Sequence, residues 1–196
     1  LRASRSLRQA YEHGNDVKAR EDMALASLLG GLALANAGLG AVHGIASVVG
    51  GMFPAPHGAV CARLLPHVME INLRALQERQ PESEALPRYD EVARILTGSA
   101  HAKAADGVRW VHELCAVLQI PPLASYGMTP ADLSTVVNKS AVASSTMNGD
   151  ALSKIEIVAS IVTASRLPEF ERTSDQSTRS ASAGGIGGQS APLGKG

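Results

Sequence analysis

Residues 19–72 read AREDMALASLLGGLALANAGLGAVHGIASVVGGMFPAPHGAVCARLLPHVMEIN. The run opens on a charged turn and then becomes almost wholly apolar. Asp16, just ahead of it, is a good N-cap for a long helix. A helix that passes from polar to apolar all round is entering a core. Gly30 and Gly31 cost that helix roughly 1 kcal/mol each against alanine. The expected compensation is the close approach of a neighbouring helix. After Gly38-Leu39-Gly40 a further helix fits 41–49, broken by Gly50-Gly51 and Pro54-Ala55-Pro56. Another starts at Pro56-His57, and Pro66 is predicted to kink or divide it.

The rest of the chain continues in the same manner. LRASRSLRQAYEHGN predicts a helix with Leu1, Leu7, Ala10 and Tyr11 on one face, closed by Gly14-Asn15. Gln80 to Pro87 reads as a polar loop. YDEVARIL and ADGVRWVHELCAVLQI are amphipathic helices, the second stopped by Pro121-Pro122. TPADLSTVVNKSAVA carries a threonine cap with proline at the first helical position. SKIEIVASIVTASRL predicts a last helix. No strand alternation is persuasive, so the fold class is all-α, with seven or eight helices over residues 1–170. Residues 171–196 are Ser/Gly-rich and are expected to be a disordered tail.

Composition bounds the function. Of 196 residues, 45% are hydrophobic but only 3% aromatic, so the core must be aliphatic. Eighteen Lys+Arg against 18 Asp+Glu leave no net charge, hence no electrostatic case for nucleic acid or an anionic membrane. Residues 23–42 are about long enough to span a bilayer. They are rich in Ala, Gly and Asn and lack an aromatic belt, and read as a core helix. Cys61 and Cys115 lie in apolar helical patterns outside any C-x-x-C pair. They read as two buried thiols in a reducing, cytoplasmic compartment. The chain opens on Leu1 in mid-pattern, which leads us to expect a piece of a longer protein.

The candidate chemistry centres on AVHGIASVVGGMFPAPHG, residues 41–58. His43 and His57 lie near the starts of successive apolar helices, joined by a Gly/Pro break that can fold those starts together. Neutral imidazoles in one small pocket suit divalent Fe, Zn or Ni, with at least one further ligand, a carboxylate above all. On spacing alone, metal ligation and ordinary core packing both stay open. His67 follows Pro66 and is expected to bond a carbonyl freed by the kink. His13, His101 and His112 read as surface residues. GLGAVHG follows no strand and is a poor phosphate loop. KAREDM reads as a solvated first turn.

Taken together, A-R-E-x-M, G-x-A-x-x-N-A, L-G-x-x-H-x-x-A, the Gly-rich break, P-H-G and L-L-P-x-V-x-x-x-N stand in order within residues 19–72. This set resembles the C-terminal helical domain of the iron-containing alcohol dehydrogenases, a dehydroquinate synthase-like helical fold. The similarity continues through PRYDEVARILTG, LCAVLQIPPLASYGMTPADLSTVV and SSTMNGDALSKIEIV, and covers roughly residues 1–165. The resemblance implies a helical bundle paired with an N-terminal nucleotide-binding domain. It implies hydride transfer between a small alcohol or aldehyde and NAD or NADP, at Fe(II) or Zn acting as a Lewis acid. The metal would be held by one Asp and three His, of which the last two match His43 and His57. The first two would lie upstream of Leu1. A homodimer is implied as well.

Several departures mark this chain, the long Gly/Ser tail and the absence of an N-terminal domain among them. Ser47 stands where many members carry a histidine near the nicotinamide, and a hydroxyl relays a proton but is a poor base. Leu34 stands at a substrate-pocket position that is often Phe. The usual Asn-Pro is replaced around Asp150-Ala151. The nucleotide-binding domain and two of the four ligands are absent from these residues. The leading expectation is therefore the metal-holding part of an alcohol dehydrogenase, incomplete without its N-terminal part. A second is a truncated, non-catalytic helical dimerisation or interaction module. A third keeps the enzyme but gives it a maleylacetate-like substrate without the usual metal.

Overall fold

A computed structural model describes residues 1–143 of the chain. Seven α-helices follow one another within these residues, and no strand occurs among them. They are α1 (Arg2–Glu12), α2 (Val17–Asn36), α3 (Ala41–Met52), α4 (His57–Arg79), α5 (Ala85–Thr97), α6 (Ala104–Val117) and α7 (Leu133–Ala141). Two short 3-10 turns, Leu123–Tyr126 and Pro130–Asp132, join α6 to α7. The predicted last helix, the Asp150-Ala151 departure and the tail lie outside the described residues.

The helix ends obey local chemistry. The Asp16 carboxylate accepts from the Ala19 amide at 3.0 Å and opens α2. Gly98 closes α5 in the left-handed region at φ 72°, its N–H donating to the Arg94 carbonyl. At the start of α6, Asp106 accepts from the Lys103 amide at 2.9 Å. Thr129 and Asp132 bond reciprocally ahead of α7. α2 and α3 are set 100° apart at the Gly38–Gly40 break. Among the described residues no single helix is long and apolar enough to cross a membrane.

The main core joins α3, α4, α7 and the first 3-10 turn. Ile45, Ala46 and Val49 pack with Val60, Leu64, Val68 and Ile71, and with Leu123, Met128, Val136 and Val137. It is aliphatic, as the composition requires. This burial carries α3 past an expected break and leaves α4 undivided at Pro66. α3 runs through Gly50-Gly51 to Met52, because its buried face is worth more than the propensity cost of two glycines. α4 runs unbroken through Pro66, since Val60, Leu64, Val68 and Ile71 anchor it on both sides. Pro66 has no N–H for the Ala62 carbonyl four residues earlier. That carbonyl instead accepts from the Cys115 thiol of α6 at 3.3 Å. The freed carbonyl therefore goes to Cys115 and not to His67.

α5 and α6 cross closely. A Cβ built on Gly107 would stand 3.0 Å from both Cα and Cβ of Ala93, so only glycine fits the crossing without movement.

α1 and α2 join through charge, and of the expected apolar face of α1 only Leu7 and Ala10 are partly buried. Leu1 and Tyr11 are exposed, whereas Asp22 is only 7% exposed. Arg5 grips its carboxylate in bidentate fashion, Nε and Nη2 each at 2.7 Å. Arg2 Nη1 and Ser6 Oγ donate to the same carboxylate. Asp22 is thus no solvated first-turn acid. The second half of α2 is not buried either: Leu28, Leu29, Leu32 and Leu34 are 50–60% exposed. Nothing lies within 4 Å of an added Cβ at Gly30 or Gly31, so the expected close neighbour is missing among the described residues.

Candidate metal centre

His43 sits in the first turn of α3, its amide donating to the Gly40 carbonyl at 3.1 Å. His57 is the first residue of α4, after Pro56 at φ −59°. The turn between the helices is held by Phe53 N–H to Val49 O and Ala55 N–H to Phe53 O. It returns the chain so that the two imidazole centroids lie 5.5 Å apart, with ring planes at 48°. His43 is half-buried and His57 exposed. The buried faces of the same two helices form the main core, so a packed scaffold carries both side chains.

Cys61 joins them. It stands four residues after His57, on the same face of α4, with Sγ 3.4 Å from His57 Nε2. Donor atoms of His43, His57 and Cys61 all lie within 4.8 Å of one another. Burial pushes the Cys61 thiol pKa up, which keeps it protonated until a cation displaces the proton. Two imidazoles and a thiol are donors suited to Zn(II) or Fe(II), so the group fits a divalent metal. No carboxylate belongs to this group among the described residues.

Ser47 lies one turn after His43, exposed, its hydroxyl donating to the Gly44 carbonyl at 2.9 Å. Leu34 stands half exposed on α2, a different element from the two histidines. The structure therefore brings together His43 and His57, adds Cys61, and leaves Leu34 open to solvent. His13 and His101 are exposed as expected, but His112 is not a surface residue. Half-buried on α6, it packs edge-on against His67. Burial, with the His112 and Arg63 charges, lowers the His67 pKa to about 4, so the ring is neutral at neutral pH. The His57–Cys61 spacing was a signal for Cys61. His112 depends on how α4 and α6 cross, which no local pattern records.

The sequence profile of the Fe-containing alcohol dehydrogenase family, C-terminal part, matches residues 3–165. The chain belongs to the Fe-containing alcohol dehydrogenase family. A 1,3-propanediol dehydrogenase of Citrobacter freundii is 53% identical over 76 residues, which are 39% of this chain and 20% of that protein. Alcohol dehydrogenase 4 of Saccharomyces cerevisiae (strain ATCC 204508 / S288c) is 38% identical over 116 residues, 59% of this chain and 28% of its own. Among solved structures, a 1,3-propanediol oxidoreductase superposes with a TM-score of 0.71 at 31% identity. That match covers 83% of this chain and 42% of the other. The all-helical fold is thus that of the family's C-terminal domain. The chain spans less than a third of the curated relatives it matches, and less than half of this solved chain. Family membership implies a metal and a nicotinamide cofactor.

Proposed function

We propose that this chain is the metal-holding helical part of an NAD(P)-dependent alcohol dehydrogenase, completed by a nucleotide-binding part upstream. The observation that carries the reading is the convergence of His43 and His57 from two helix starts, 5.5 Å apart. His43 and His57 hold Fe(II) or Zn(II), and Cys61 stands ready as a third donor. When bound, the metal supplies Lewis acidity towards the oxygen of a small alcohol or aldehyde. A carboxylate and a further imidazole come from the upstream part. Ser47 passes a proton at its hydroxyl, and Leu34 lines the substrate side. The cytoplasm is the compartment that suits two free thiols.

The exposed row Leu25, Leu28, Leu29 and Leu32, with Leu34 exposed on the other side of the helix, supports an incomplete assembly. It equally favours a second reading, in which another copy covers α2 and the chain is a non-catalytic dimerisation module. Joining the chain to its upstream reading frame separates the two. The enzyme reading expects NAD(P)-dependent oxidation of a primary alcohol, lost in His57→Ala. No turnover by the joined protein, with a stable dimer of the chain alone, would support the module.

A further inference from the structure

α4 and α6 bring a second donor group together. His67 and Glu70 are three residues apart, on one face of α4. His112 faces them from α6, its ring 5.0 Å from that of His67 and inclined at 70°. One donor atom from each of the three lies within 4.8 Å of the other two. None of these residues belongs to the His43/His57/Cys61 group.

His67 is the telling member. It is 7% exposed, and neither Nδ1 nor Nε2 has a hydrogen-bond partner. A buried polar group without a partner is a standing penalty that native folds avoid. One nitrogen of a neutral imidazole is a lone-pair donor, and a cation is a partner for it. His112 adds a second imidazole, and exposed Glu70 adds a carboxylate with a path to solvent. Arg63 contributes a positive charge near both rings, and the Glu70 carboxylate offsets it at His112.

We propose that His67, Glu70 and His112 form a binding site for a divalent cation of borderline softness, best matched by Zn²⁺. Two imidazoles and a carboxylate are a known zinc donor set, leaving a fourth position to water. The bound ion clamps α4 to α6 beside Pro66, where the helix has lost a backbone bond. It satisfies His67 and stabilises the fold by mass action.

The chain carrying His57→Ala, stripped of metal with a chelator and titrated with Zn²⁺ alone, tests this independently of the proposed catalytic site. One equivalent is expected to bind. At a hundredfold excess over Kd the thermal midpoint should rise by about 5–10 °C. Adding His112→Asn should abolish the equivalent and the thermal shift. Glu70→Gln, at an exposed position that leaves folding intact, should weaken binding at least about tenfold. Co²⁺ in the same background should show no thiolate charge-transfer band, since Cys61 takes no part. A His57→Ala chain that binds no Zn²⁺ overturns the proposal. So does retained affinity in Glu70→Gln or in a folded His112→Asn.

Discussion

At Asp22 one carboxylate anchors one helix to the next. Arg5, Ser6 and Arg2, in order of weight, hold its pKa well below the usual carboxylate range. Because the folded value is depressed, the stabilisation is fully present above the ordinary aspartate pKa and fades as pH falls through the folded value. Asp22→Asn should lower the urea midpoint at pH 7. The gap from wild type should close as the pH is taken below the ordinary carboxylate range. A gap that persists unchanged in strong acid would show that the ion pairs do not hold α1 to α2. Asp22 was hidden in the sequence because KAREDM specifies a helix start and not the partners of each charge. Arg2 and Arg5 lie on another element, 20 and 17 residues away, and only the fold pairs them. Cys61 was nearer to hand, since four residues on a helix place it beside His57.

Among the elements, caps and apolar spacing placed α1, α2, α4, α6 and α7 within a few residues, because those signals are local, whereas α5 starts at Ala85, inside the loop expected over Gln80 to Pro87. Glycine misled where long-range packing outweighed it, as at Gly50-Gly51, and Pro66 did not divide α4. α2 shows the complementary limit: its apolar composition says that something covers it, but not that the cover lies within this chain. Gly30 and Gly31 turn that into a measurement. With open space around both among the described residues, Gly30→Ala and Gly31→Ala together should stabilise the chain by about 1–2 kcal/mol in urea unfolding. In the protein joined to its upstream part the same pair should destabilise, as a covering helix meets the new methyl groups. A stabilising effect in both forms would mean that no helix approaches α2 closely.

For the whole molecule, the family match over residues 3–165 and the all-helical body agree with the motifs of residues 19–72. Those motifs bear on the site because they fix helix starts, close glycine-lined breaks and donor positions in a single frame. The central claim is that His43 and His57, brought together by α3 and α4, hold the metal on which the dehydrogenase depends. Its most direct test is the metal content of the joined protein, loaded anaerobically with Fe(II) or with Zn(II) and dialysed, in wild type, His43→Ala and His57→Ala. Each variant is expected to retain one metal equivalent fewer per chain than wild type. Wild-type metal content in either variant, with the helical fold intact, would contradict it.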